Sequence, residues 1–293
     1  MLPTAARQAH VAAPTAATRA ASSQCRPLAA ANRRLRGAAA LWLCIAVAGQ
    51  LLFAAYVAGF YGRAALAGTP ERWNRVLAHG YVAGDHVFNA VLALHLLLAV
   101  AIVLAGAAQL LPALRRHAPA VHRWNGRAYM LCAMLLSLGG LAMIWVRGGA
   151  AGDLGQHLGT SLNALLIVVF VAMAWRSARS GRLAAHRRWA LRLFLAVSGV
   201  WFFRVGLMFW LAVNQGPAGF DPDRFVGPAL TTLAFAQTLL PLAVLELYLR
   251  ARDSRRRALH WLAASTLALM SLATLIGTVA AAAGMWWPML RPA

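Results

Sequence analysis

Lysine is missing from this chain altogether, and acids are almost missing: 28 arginines stand against seven Asp and Glu, for a net charge of +21. The all-Arg, Ala-rich usage follows GC-rich coding, so the missing lysine carries no physical message. Charged residues of both signs make up 12% of the chain and apolar ones 61%, against roughly 25% and 45–50% in an average globular protein. A soluble protein has nowhere to hide that much apolar surface, and a disordered one does not carry it. Cysteines number three, and Cys44 and Cys132 lie inside apolar runs, which excludes a disulfide scaffold. There is no Gly-x-Ser-x-Gly, no phosphate-cradling Gly-rich loop, no Cys pair and no carboxylate pair suited to acid–base work. Asp221-Pro222-Asp223 reads as a turn. Hydrolase and kinase readings therefore have nothing to stand on, and no catalytic residue is assigned.

What the chain has instead is long apolar runs, at about 38–60, 87–114, 128–146, 158–175, 193–213, 226–249 and 258–287. A bilayer core about 30 Å thick needs about 20 helical residues, and each run meets or approaches that length. Backbone polar groups find no water in lipid, so each run is expected to be a helix rather than a barrel strand. The expectation is an all-α polytopic bundle of seven membrane helices, with span four the shortest. It divides into a disordered basic tail (1–37), a membrane domain (38–287, core helices about 87–213) and a short tail (288–293).

Arginine placement sets the orientation. The tail and the connections at 115–127, 176–192 and 250–257 hold 21 Arg, whereas the opposite segments hold six. Arg excess marks the cytoplasmic side, so the N-terminus is expected inside and the C-terminus outside. The basic charge then faces the anionic inner leaflet of a bilayer and not nucleic acid, whose binders carry it on soluble faces. The acid-free first 37 residues share their composition with transit peptides. The 23-residue run behind them is too long for a cleaved signal, and so reads as an anchor.

One internal echo stands out. Span three is entered through His122-Arg123-Trp124-Asn125-Gly126-Arg127-Ala128-Tyr129, and span five through His186-Arg187-Arg188-Trp189-Ala190-Leu191-Arg192. Both helices start on the Arg-rich side, so the two His lie at similar depth. Interfacial anchoring explains Trp, Arg and His at such a boundary without any ligand. The sharper reading makes His122 and His186 axial ligands of one haem b, with Arg127 and Arg192 placed for its propionates and Gly126 letting the two helices approach.

These residues resemble an uncharacterised bacterial family of predicted membrane proteins, domain of unknown function 2306. The resemblance runs through His95, Gly106, Gln109, Arg115, His122-Arg123, Gly126-Arg127 and Tyr129, then His186-Arg187-Arg188-Trp189, Arg192 and Arg204. It spans roughly residues 80–210, and Ala190-Leu191 replaces a more usual Met-Ile. It implies a multi-pass protein of a bacterial inner membrane and brings no activity with it.

Two costly residues lie deep in the runs. At about 1.5 Å per residue, His95 and Arg204 sit roughly 12 and 13 Å below the outer surface. An Arg at that depth costs at least ~2.5–3.5 kcal/mol, so it is expected to face the interior and hold an anionic partner. Glu246 lies about 11 Å from Arg204 in depth, too far for that role, and is expected to pair with Arg250 one turn along. On the outer side His79, Asp85, His86, Asp153 and His157 gather by topology. His86 and His157 match in depth and could serve a second haem, with His95 as a deeper alternative. This two-level layout resembles the transmembrane di-haem cytochromes b, in arrangement only. No compact spacing marks a metal site. Two functions remain open: a bis-His haem b electron carrier using His122, His186, His86, His157 and His95 with Arg127, Arg192 and Arg204, or a non-redox transporter or lipid- or anion-binding protein using Arg204 and His95. Neither a redox partner nor a substrate is encoded in a recognisable motif.

Overall fold

The computed structural model describes residues 16–77, 80–146 and 152–291, with side chains from residue 28 onward. Its long helices are α1 (Ala16–Val57), α2 (His86–Leu110), α3 (Pro119–Trp145), α4 (Leu154–Arg179), α5 (Leu183–Val197), α6 (Gly199–Asn214), α7 (Pro228–Asp253) and α8 (Arg257–Ala281). Among the described residues there is no β-strand beyond one isolated bridge, Asp221 to Val226. Six helices are long and apolar enough to cross a membrane. The pair α5–α6, bent by 53°, makes the seventh if it counts as one span. The expected all-α membrane bundle is borne out. Span four, expected to be the shortest, is the regular 26-residue α4.

The correction falls on span five. Expected as one helix over 193–213, it breaks at Ser198. The Ser198 hydroxyl donates back to the Phe194 carbonyl at 2.8 Å, a bond that competes with the helix ladder and bends it. The same hydroxyl accepts from Gln50 Nε2 at 3.0 Å, which holds the bend against α1. Next to it, Gly199 faces Asn163 so closely that a methyl group there would sit 2.7 Å from the amide nitrogen. Asn163 in turn accepts from Thr238 Oγ1 at 2.8 Å. A buried polar belt thus joins α1, the break, α4 and α7 at mid-span, where each of these groups would otherwise lack a partner.

The tail boundary also moves. Helix α1 begins at Ala16 rather than after residue 37, because Ala, Leu and Arg are strong helix formers. Its early part is docked: Leu35 is fully buried and Arg34 lies 4.6 Å over the Trp261 ring. Residues 1–15 of the expected tail lie outside the described residues. At the other end the short tail begins as a helical turn, Trp287–Leu290, continuous with α8 through a π-helical turn, Ala282–Trp286.

Packing closes a ring. Helix α1 packs on α2 and α8, α2 on α3, α3 on α4, α4 on α7 and α7 on α8. The broken pair fills the middle: α5 packs on α4 and α7, and α6 on α7 and α8. Small residues permit this. A Cβ at Gly277 (α8) would meet the Val205 carbonyl oxygen (α6) at 2.2 Å, and one at Gly159 (α4) would meet the Ala234 backbone (α7) at 2.9 Å. Without a hydrophobic drive between helices in lipid, such close approach supplies the packing energy. The Arg-rich segments gather at one end, as Arg34 on Trp261, Arg188 with Asp253 and Arg192 with Glu246 show.

Candidate functional site

The break in the central helix leaves a cavity of about 750 Å³ between it and α1–α4. Arg204 and Trp201 reach it from α6, His95 from α2, Ser137 from α3, and His157 from α4. Most of its wall is apolar, with Phe53, Leu92, Ile102 and Ile167 among the lining. Arg204 Nε, His95 Nδ1, His157 Nε2, Trp201 Nε1 and Ser137 Oγ are all buried without a hydrogen-bond partner. Each such group costs on the order of 1–3 kcal/mol when left unmade. Five of them around one space are therefore a feature of that space and not of the general packing.

Local structure explains how each arrives there. His95 fits because α3 presents Gly139 and Gly140 to it; a methyl at Gly139 would already touch Nδ1 at 3.7 Å. Arg204 lies 5.6 Å from the Phe53 ring centroid, and Tyr56 and Tyr61 pack edge to face on the same wall. Among the described residues no carboxylate pairs with Arg204. At the end opposite the Arg-rich one, two acids are engaged as helix caps. Asp85 caps α2 by accepting from the Phe88 amide at 3.2 Å. Asp153 caps α4, accepting from the Gln156 amide at 2.9 Å and from Thr231 Oγ1 at 3.2 Å. The amide of Gln156, above all, holds the Asp153 carboxyl below the ordinary carboxylate range. Asp223 lines the cavity from the 215–227 loop and is itself exposed. That loop is pinned down by Gln156 Nε2 donating to the Phe225 carbonyl at 3.0 Å. It re-enters α7 through Gly227 at φ +146°, where a side chain would collide with the Phe220 backbone at 2.6 Å.

The sequence expectations sort as follows. His95 and Arg204, expected at one level, line one cavity, and His157 joins them. His86 is exposed at the start of α2 and is not part of that lining. The depth match of His86 with His157 therefore gives way to a shared cavity for His95 with His157. His79 lies outside the described residues, and no three His, Cys, Asp or Glu come together as metal ligands among the described ones.

At the Arg-rich end, His122 lies in the first turn of α3 and His186 in the first turn of α5. Neither lines this cavity. His186 Nδ1 bonds the Ala174 carbonyl at 3.0 Å, and His122 Nδ1 is buried without a partner. Both motifs share a Trp-x-x-Arg unit in which the guanidinium stacks on the indole, at 4.7 Å for Arg127 on Trp124 and 4.6 Å for Arg192 on Trp189. That resolves why the His-to-Arg spacings differ by one: the constant spacing runs from the Trp. The expected Glu246–Arg250 pair gives way to Glu246–Arg192, with Arg192 Nε and an amino group 2.7 and 2.6 Å from one carboxylate oxygen. Gly126 was expected to admit the helix of His186. It instead faces Gln109 of α2, 3.3 Å from where its Cβ would be. Gln109 donates to the His122 carbonyl at 2.8 Å, Asn125 to the Ala105 carbonyl at 2.9 Å, and Gly106 seats the Tyr129 ring. The polar, ordered element around Gly126 is thus a clamp between α2 and α3.

Sequence reasoning missed the contributions of Gln50 and Tyr56 in α1, of Tyr61 in the π-helical turn after it, and of Ser137, Asn163 and Trp201. An uncharged polar residue alone in an apolar run was the available sign.

Fold and site together define a polytopic helical membrane protein with a mainly apolar cavity that several unpartnered polar atoms line. Residues 92–231, just under half of the chain, match the family model described as Predicted membrane protein (DUF2306), as the His122–Tyr129 and His186–Arg192 elements led us to expect. This stretch runs from α2 into α7 and carries His95, His157 and Arg204. No curated protein and no solved structure matches the chain.

Proposed function

We propose that the protein binds, within the membrane, a small amphipathic anion whose carboxylate or phosphate meets Arg204 and whose apolar body fills the rest of the cavity. The observation that carries this reading is the set of five unpartnered polar atoms around one space, with Arg204 among them. Arg and Trp only donate hydrogen bonds, and Ser and a neutral imidazole can do so, so the missing partner is rich in acceptors. The mainly apolar wall asks for a ligand that is not all charge. The Arg-rich end faces the cytoplasm of a bacterial inner membrane in this reading, which puts the cavity in the outer half of the bilayer. The test is thermal stabilisation of the detergent-purified protein by medium-chain carboxylates and alkyl phosphates, set against alcohols of equal length. The acids raise the unfolding midpoint, the alcohols do not, and Arg204→Gln abolishes the difference. Equal responses to acid and alcohol, or an Arg204→Gln response like wild type, would refute it.

A second reading, haem b, is favoured by one specific observation. The bond of His186 Nδ1 to the Ala174 carbonyl fixes the tautomer that leaves Nε2 free as a ligand, the usual support of a metal-binding imidazole. In this reading His186 and His122 hold one haem, His95 and His157 a second, and the group supplies one-electron transfer. Arg192, committed to Glu246, is not free for a propionate. A reduced α-band in the visible spectrum that His122→Ala and His186→Ala each remove supports it. Colourless protein from haem-replete cells excludes it.

A further inference from the structure

A second cavity, of about 560 Å³, lies on the other side of the broken helix, between α6, α7, α8 and the first half of α1. Phe194 and Gln237 form part of the wall on both sides, but the two spaces differ in chemistry. The wall of the second is apolar almost throughout, with Trp42, Phe202, Phe209, Leu240 and Met270 among its residues. Its charged residues are Arg36 and Arg252, both exposed and both belonging to the Arg-rich end.

Its shape is a slot. Leu233 and Arg252 both line it, and they lie 19 residues apart on α7, or roughly 28 Å at 1.5 Å per residue. An apolar lining that runs this far along one helix suits an extended alkyl chain. The length is close to the thickness of the hydrocarbon core, about 30 Å. Charge at the mouth is unbalanced. Asp253, the acid beside it, is shared between Arg188 and Arg252, so the group as a whole stays cationic. Arginine clusters at the membrane surface attract anionic headgroups.

We infer that this slot is a binding site for one acidic phospholipid, an acyl chain lying along α7 and its phosphate held between Arg36 and Arg252. The inference does not depend on the ligand of the Arg204 cavity. Its occupant enters sideways from the leaflet at the Arg-rich end, and it completes the packing of α6, α7 and α8 where protein atoms leave a gap.

The test uses the full chain in nanodiscs of phosphatidylcholine with a minor fraction of phosphatidylglycerol, followed by detergent release, partial delipidation and native mass spectrometry. Wild type retains one phosphatidylglycerol, preferred over phosphatidylcholine by roughly tenfold or more. Arg36→Gln with Arg252→Gln brings that preference to near parity. Ala273→Phe, which places a ring in the slot, retains neither lipid. Arg204→Gln leaves retention as in wild type, which separates this site from the other cavity. Retention of both lipids in proportion to their supply would overturn the proposal, since that is ordinary annular lipid. So would an Arg36/Arg252 double variant that keeps the wild-type preference. Helical circular dichroism checks Ala273→Phe, and if that variant is misfolded the surface Arg variants decide alone.

Discussion

Substituting Gly277 by Ala tests the packing on which both cavities depend. Gly→Ala inside a helix ordinarily stabilises, by about 0.5–1 kcal/mol, because Gly loses more backbone freedom on folding. At Gly277 the added methyl would sit 2.2 Å from the Val205 carbonyl oxygen and 2.8 Å from a Val205 methyl. Ordinary contact begins near 3.4 Å, so α8 and α6 must part by about 1 Å. A backbone carbonyl cannot swing aside as a side chain can, and overpacking of this kind costs typically 1–3 kcal/mol. The clash therefore outweighs the propensity gain, and the net effect is destabilising by about 1–2 kcal/mol. Arg204 is the residue before Val205, so moving α6 also moves the guanidinium, and ligand stabilisation falls with fold stability. Gly37 is the control. It lies in α1 with nothing within 4 Å of a Cβ, so Gly37→Ala is neutral or stabilising. Both variants are compared with wild type by SDS-titrated unfolding in micelles. A Gly277→Ala protein as stable as Gly37→Ala would refute the close approach of α6 and α8.

Three further outcomes are expected. Ser198→Ala leaves the Gln50 amide without its acceptor and removes the bond that bends the central helix, costing about 1–3 kcal/mol in the same unfolding assay; an unchanged midpoint contradicts the polar belt. The Asp153 carboxyl is held below its ordinary range in the folded protein, chiefly by the Gln156 amide, so its ionised form contributes stability above the unfolded value near 3.8 and loses it as pH falls through the folded value. Wild type is accordingly more stable than Asp153→Asn at pH 6, and the gap closes as pH falls below about 4; a gap independent of pH contradicts the capping geometry. A reporter fused after residue 293 is active outside the cytoplasm, and cytoplasmic activity there reverses the orientation drawn from the arginines.

How much of this was legible beforehand depended on the kind of interaction. Apolar runs of about 20 residues and the placement of 28 arginines determine an all-helical membrane bundle and its Arg-rich end, because bilayer thickness and backbone hydrogen bonding act on each segment separately. Depth arithmetic likewise put His95 and Arg204 at one level, since rise per residue is the same in every helix. Rotation about the helix axis and the choice of neighbours are not local. Nothing in the run 193–213 says that Ser198 bonds back to Phe194 until Gln50 of α1 is there to share its hydroxyl. Gly126 reads as an opening toward either neighbouring helix, and only the packed bundle chooses Gln109 of α2. Glu246 has Arg250 one turn away on its own helix, yet Arg192 lies closer across the interface with α5 and takes the carboxylate. Composition and length alone decide that this chain enters a membrane. Which polar groups are left without partners is decided only when all the helices have met.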